Sequence, residues 1–443
     1  MSSVPLQFAR ELEASLPVSN ALDCREITAP IAIVERTAPT KVLLATTCHL
    51  ASTARLAMAI AQAGGMVSAV YPASHPLDAT RAPVQRIPYS ALHPLQSLQS
   101  AIDRSEADII VPCDERAVRH LHRLHANTPR AATRLLIERS LGDPASYGIA
   151  TTRHDLLMLA RSSAIAVPDS APVSCLEDLH NLAAQRPFPW VIKADGSWAG
   201  LGVRVVASLA EAEAAYRQIN RPVAASLVLR EALVERDYFW AQPWLARSRP
   251  AISVQSFIAG RPANCAVACW RGEVLAATAV EVENAESETG PSTVVRVVEN
   301  QQMLQAARGV VSALGMSGMV GFDFMIETAT GTPYMIEMNP RNTPITHVRL
   351  GPGRDLVEAL LARVSGRMPR ERPPVTQQDL VVFFPHTWKH DPNSPFLNRG
   401  FHDVPWEEPA LVRELVKPEM RERYWTMRTL RYLWLAARRL RTG

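Results

Sequence analysis

Residues 321–341 read GFDFMIETATGTPYMIEMNPR, with Asp323, Glu337 and Asn339 as polar interruptions in two short apolar runs. TATGTP at 328–333 is a turn signal between runs suited to strands, so a hairpin is predicted. Centring it on Thr330 sets Asp323 opposite Glu337, Phe322 opposite Met338 and Phe324 opposite Ile336. Alternation then puts Phe322, Phe324, Ile336 and Met338 on one face and Asp323, Glu337 and Asn339 on the other. Two directly opposed carboxylates have Cβ atoms roughly 5 Å apart and repel. A divalent cation would cancel that repulsion. Three side-chain oxygens suit magnesium, which takes oxygen ligands octahedrally and completes its shell with water and phosphate. The plain alternative is an amphipathic hairpin with a wet polar face.

A second stretch, PWVIKADGSWAGLGVRVV (189–206), reads as strand, glycine loop, strand. Gly196, Gly200 and Gly202 allow tight turning and close backbone approach to phosphate oxygens, with Ser197 in the same loop. Lys193 stands at the end of the first strand, where its ammonium can reach a phosphate. It is one of only four lysines, with Lys41, Lys389 and Lys417, in a chain of 47 basic residues. The Lys precedes the loop and no GK[ST] follows, so this is not a Walker A loop. Taken alone, such a hairpin is weak evidence and reads first as a structural turn.

Asp323-Phe324 followed by EMNPR from Glu337 resembles the metal-binding hairpin of the ATP-grasp superfamily, with a spacing close to that of the carbamoyl phosphate synthetase large subunit. The resemblance covers about 150–366. It implies that Asp323 and Glu337 bind magnesium, that Glu337 bridges two ions, and that Asn339 holds the second. Manganese is the alternative metal. Arg341 then lies beside the transferring phosphate, and Lys193 and the glycine loop form a flap over the triphosphate of ATP. Trp198 is unusual in such a loop and would cap the phosphates or pack on the lid. Arg153 resembles the arginine that opens the ATP site in the carbamoyl phosphate synthetase large subunit; a surface Arg on a helix is the alternative. VQSFIAG (254–260) resembles the hinge strand that pairs with adenine, giving Gln255, Ser256, Phe257 and Ile258. It departs from the family at Ser256, where Glu is usual, and at Pro262, Ala263 and Asn264, where no acid stands for the ribose. Base preference and ribose contact stay open. ESETGPST (286–293) resembles a segment beside the phosphates, making Glu288, Thr289 and Ser292 candidates; an ordinary loop is the alternative.

The elements that must position these residues alternate. KVLLATT (41–47), MVSAVY (66–71) and ADIIVP (107–112) read as strands with helical stretches between them, which implies a parallel sheet. Thr46, Thr47, Asp114 and Glu115 fall just past strand ends, where open α/β sheets bind ligands. The acids suit a cationic substrate, or are solvated loop residues. From about 146 a different texture begins: a helix that stops before Pro168, the glycine hairpin, helices near 208–219 and 224–247, and a helix at 301–315 stopped by Gly315. Residues 366–410 are Pro-rich and read as irregular. The expected fold is mixed α/β and α+β. It comprises an extension (1–38), a Rossmann-like pre-ATP-grasp domain (39–145), an ATP-grasp domain (146–366, lid about 166–258) whose two α+β subdomains clasp ATP, and a C-terminal segment (367–443).

A length of 443 residues calls for two or three domains. A formal charge of +4 gives no reason to expect nucleic acid as a partner. Six scattered Cys without a CxxC pair point to a reduced, cytoplasmic setting, and neither a signal peptide nor a transmembrane run is read. His120, His122 and His125 in RHLHRLH lack i,i+4 spacing and read as a solvated helix face. Residues 419–443 read as a basic helix candidate with seven Arg between 421 and 441. It suits packing on its own chain or on a homodimer partner, and alternatively an anionic membrane surface. The family resemblance implies a ligase that activates a small-molecule carboxylate as an acyl phosphate and joins it to an amine. A bicarbonate-activating carboxylase or carbamoyl-phosphate type is the rival within enzymes, although no biotin-carrier MKM and no second copy of the domain occur. A non-catalytic nucleotide-binding regulator is the rival outside them.

Overall fold

Val42, Leu43, Leu44 and Ala45 are buried, as expected of a strand covered by helices on both faces. This strand, Lys41–Ala45 (β1), lies between Met66–Tyr71 (β2) and Ile109–Pro112 (β4). With Pro83–Pro88 (β3) they form a parallel sheet in the order β3-β2-β1-β4. Helices Ala51–Gln62 (α1) and Pro94–Ser105 (α2) make crossovers; Glu115–Asn127 (α3) and Ala131–Leu141 (α4) follow β4. The computed structural model describes residues 38–195, 202–230, 232, 240–245, 247, 249–287 and 290–417. The N-terminal extension, Gly196, Ser197, Trp198, Gly200, Glu288, Thr289 and the basic 419–443 stretch lie outside the described residues.

Two readings of this first domain are corrected. Asp114 is not a solvated acid but is 3% exposed. It caps α3 by accepting from Ala117 N at 2.9 Å, and it accepts from Thr47 N at 2.6 Å and from the hydroxyls of Thr46 and Thr47. The histidines of α3 are not a solvated face either. His120 is buried near the Tyr89 hydroxyl, and His122 stacks on Tyr147 with ring centroids 4.0 Å apart. Burial pushes both imidazoles down to about 4, so they stay neutral.

After helix Arg153–Ser162 (α5) comes a four-stranded antiparallel lid, ordered β5-β8-β6-β7: Ser170–Val173 (β5), Trp190–Ala194 (β6), Val203–Val206 (β7) and Ile252–Ser256 (β8). Its core centres on Trp190, Ile192, Val254 and Leu179, under helices Leu176–Ala183 (α6) and Leu209–Ile219 (α7). Short helices at Ala225–Arg230 and Ala241–Leu245 occupy the described parts of the stretch read as a helical insertion.

The largest sheet runs β13-β12-β9-β10-β11-β14-β15. Its strands are Gly260–Trp270 (β9), Glu273–Ala285 (β10), Ser292–Val298 (β11), Gly318–Glu327 (β12), Pro333–Asn339 (β13), Leu380–Val382 (β14) and Phe401–His402 (β15). The Pro-rich 366–410 segment is therefore not wholly irregular, because it supplies β14 and β15. Period-2 alternation divides the faces. Cys265, Val267, Cys269, Phe322 and Phe324 pack under α5 and helix Gln301–Ala313 (α8). Ala266, Ala268 and Met319 pack instead toward the first domain and helix Leu356–Ser365 (α9). Gly315 ends α8 with φ +58, the left-handed stop that favours glycine.

Candidate active site

A cleft of about 1960 Å³ opens between the first domain, the lid and the large sheet. Thr47 and Cys48 come from beyond β1, Lys193 and Phe257 from the lid, and Asp323, Glu337 and Asn339 from the β12–β13 hairpin. The hairpin register sets Asp323 opposite Glu337 and Phe322 opposite Met338, as the sequence spacing predicts. Beyond Asp323 it departs. A bulge pairs Phe324 with Met335 instead of Ile336, so Met335 joins the buried face and Ile336 lines the cleft.

Asp323 is clamped by two amides. Asn264 Nδ2 donates to its Oδ1 at 2.5 Å and Asn339 Nδ2 to its Oδ2 at 3.0 Å. Burial and the facing Glu337 push the Asp323 carboxyl up, against the two amide donors. Glu337 in turn meets Arg153, the first residue of α5, whose Nη2 lies 2.6 Å from Oε1. Arg153 also donates to Ala194 O and faces Asp195 at 3.5 Å. It is thus a cleft residue and not a surface Arg. Desolvation works against its charge, but Glu337 outweighs it and raises the guanidinium pKa.

Lys193 is 5% exposed at the end of β6, with Nζ 3.4 Å from Ile336 O. Desolvation pushes its ammonium down to about 8, even with Glu337 near. Gly202 O accepts from Ala194 N at 3.0 Å and closes the base of the glycine loop. Arg341 Nη2 bridges Asn339 Oδ1 at 3.1 Å and Glu115 Oε1 at 2.6 Å, linking the hairpin to the start of α3 in the first domain. Burial raises the Glu115 pKa, but Arg341 overrides it and holds the carboxyl low.

At the hinge, Gln255 is buried, whereas Phe257 is half open to the cleft beside Ile258. Ser256 N donates to Asp169 O and Phe257 N to Pro189 O, so these amides hold the lid together. Gly260 follows because β12 crosses here: a Cβ would sit 2.1 Å from Ile326 O. Ser292 begins β11 on the cleft wall.

Sequence reasoning passed over Asn264 as a missing ribose acid. The signal that places it is alternation along β9: Ala263, Cys265 and Val267 are buried, so Asn264 faces the other way, opposite Asp323. The donors near Asp323 are hard carboxylate and amide oxygens, and the two carboxylates face one another with positive side chains gathered around them. That chemistry fits magnesium. Among the described residues no three His, Cys, Asp or Glu side chains converge as a metal cluster.

Residues 239–344 match the ATP-grasp domain family. No curated protein matches the chain in sequence. Among solved structures, N5-carboxyaminoimidazole ribonucleotide synthetase in its ADP complex aligns at a TM-score of 0.55 and 14% identity, over 77% of this chain and 81% of its own. The biotin carboxylase of Campylobacter jejuni aligns at 0.53 and 16%, over 74% and 71%. The L-amino acid ligase of Bacillus licheniformis aligns at 0.50 and 15%, over 76% and 76%. At these identities the likeness is one of fold.

Proposed function

We propose that this protein, a member of the ATP-grasp superfamily, is an ATP-dependent ligase that activates a carboxylate as an acyl phosphate and joins it to an amine. The observation that carries the reading is the meeting of Asp323, Glu337 and Asn339 on one sheet face, in the same cleft as Lys193 and Arg341. Phosphoryl transfer depends mainly on positioning and charge neutralisation, and these residues supply both. Asp323, Glu337 and Asn339 would hold two magnesium ions, or manganese in their place. Bound there, the metal neutralises phosphate oxygens. Lys193 offsets charge on the α/β side of ATP. Arg341 stabilises the transferring group and the acyl phosphate. Arg153 is assigned to the phosphates, the 196–202 loop is assigned there on sequence alone, and Gln255, Ser256, Phe257 and Ile258 are assigned to the base. Glu288 is assigned to the phosphate side on sequence alone. The amine then displaces phosphate from the acyl carbon and forms the C–N bond.

Bicarbonate is the second acid to test, because the structural neighbours include a biotin carboxylase. No described helix is long and apolar enough to cross a membrane. The test is a library of carboxylates, bicarbonate included, crossed with amines and read by ADP release. Steady ADP and phosphate formation that needs both partners is expected. ATP binding without turnover for any pair would favour the regulatory reading instead.

A further inference from the structure

The amine of the proposed reaction arrives as an ammonium ion and must lose a proton before its nitrogen can attack. A carboxylate beside the acyl phosphate is the natural acceptor. Most acids that line the cleft have other partners. Asp323 and Glu337 are assigned to the metal. Asp114 accepts from Ala117 N, from Thr47 N and from two threonine hydroxyls. Asp403 holds Arg55 and His347. Glu283, Glu286 and Glu414 face Arg296, His386 and Lys417.

Glu115 is placed differently. The sheet order sets β1 beside β4, while the chain from β1 runs the other way through β2 and β3, so a crevice opens beyond the carboxyl ends of β1 and β4. Glu115 begins α3 at that crevice and lines the cleft. Its Oε1 lies 2.6 Å from Arg341 Nη2, yet its side chain is still 34% exposed. Arg341 is the group assigned to the acyl phosphate, so the Glu115 carboxylate stands one guanidinium away from that phosphate. Arg341 also keeps the carboxyl ionised, so it meets an ammonium as an anion. We propose that Glu115 is the catalytic residue that receives the amine, binding its ammonium and taking one proton from it as the nitrogen attacks the acyl carbon. The C–N bond forms, the C–O bond to phosphate breaks with its electron pair going to phosphate, and the second proton leaves nitrogen for that phosphate. This rests on the ligase reading and on the place of Arg341 in it.

The test exploits hydroxylamine, which is largely uncharged near neutral pH and traps acyl phosphates as hydroxamates without first giving a proton to a base. The full chain with ATP and Mg2+ is given a carboxylate library and hydroxylamine. Each acid that yields hydroxamate is then offered ammonium, alkylamines and amino acids. Wild type, Glu115→Gln and Glu115→Asp are compared, with thermal melts selecting the variants that fold. Gln still accepts from Arg341. A positioned base contributes about 100- to 10,000-fold, so Glu115→Gln should lose amide formation by about a hundredfold or more while hydroxamate formation stays at the wild-type level. Glu115→Asp, which draws the carboxylate back by one methylene, should show the same selective loss to a smaller degree and serves where Gln does not fold. Equal loss of hydroxamate and amide would make Glu115 a support for Arg341 alone, and unchanged amide formation would leave it no part in proton transfer; either result overturns the proposal. So does a wild type that makes hydroxamate but accepts no protonated amine. A wild type that makes no hydroxamate from any acid brings down the ligase reading itself, and the proposal with it.

Discussion

Arg153 Nη2 lies 2.6 Å from Glu337 Oε1, a contact between residues 184 apart in the chain. Arg153 opens α5 at the lid end, and Glu337 belongs to the hairpin of the large sheet. The guanidinium thus supplies positive charge to a carboxylate that faces another carboxylate across the ribbon. In the proposed reaction Glu337 would hold the metal and Arg153, beside it, would face the phosphates.

Glu337→Gln separates these two tasks. The amide oxygen still accepts from Arg153, so the fold should hold, with circular dichroism unchanged. The charge that binds the dication is gone, so ADP formation should fall by about a hundredfold or more, the scale of losing a main electrostatic group in a transition state. Retained ADP release in this variant would refute the metal assignment.

Lys193 carries a sign that can be checked by pH. Its pKa falls from 10.5 in the unfolded reference to about 8 in the fold, because burial disfavours the ammonium. Between those values the unfolded chain binds more protons than the folded one, so stability rises with pH from about 8 toward 10.5. The full penalty, on the order of 3 kcal/mol, is present below pH 8. Lys193→Met keeps the stem and removes the charge. It should be more stable at pH 7, should lose the alkaline rise, and should bind ADP roughly tenfold or more weakly, the worth of one charged hydrogen bond. Urea unfolding across pH 7 to 10 and calorimetric ADP titration check the two arms. A Met variant no more stable than wild type, with the same alkaline slope, would mean that Lys193 is not held against desolvation.

What the sequence made legible was mainly local. The opposition of Asp323 and Glu337 follows from one turn and a period of two. Lys193 is conspicuous because lysine is rare in this chain. The bulge at Ile336 was hidden, because nothing in YMIEM marks an extra residue. Asp114 looked like a loop acid because its partners Thr46 and Thr47 come from a different strand end. The stacking of His122 on Tyr147 likewise joins separate helices. Strand β14 pairs with β11 across more than 80 residues of chain, and its Pro-rich flanks conceal it. Long-range pairing and side-chain caps leave no periodic trace.

Asp403 shows how such pairing joins the segments around the cleft. It is 3% exposed, just beyond β15, and it receives Arg55 Nη2 from α1 on Oδ1 and His347 Nε2 from beyond β13 on Oδ2 at 2.7 Å. Burial alone would raise its pKa; His347 and Arg55 outweigh that and hold it below the usual carboxylate range. A carboxyl with a lowered folded pKa contributes stability that is present above its unfolded pKa, about 3.9, and is lost as pH falls through the folded value. Asp403→Ala leaves Arg55 and His347 near one another without their anion, and breaking a buried pair in this way costs about 3–5 kcal/mol. Asp403→Asn still offers a carbonyl oxygen and should lose less. Urea unfolding at pH 7 ranks the three proteins. Repeating it down to pH 3 should show the acid limb of wild type flattened in both variants, because the group that titrates there has been removed. An Ala variant within about 1 kcal/mol of wild type, the range of ordinary surface changes, with the acid limb intact, would show that this junction does not hold the C-terminal segment to the cleft wall.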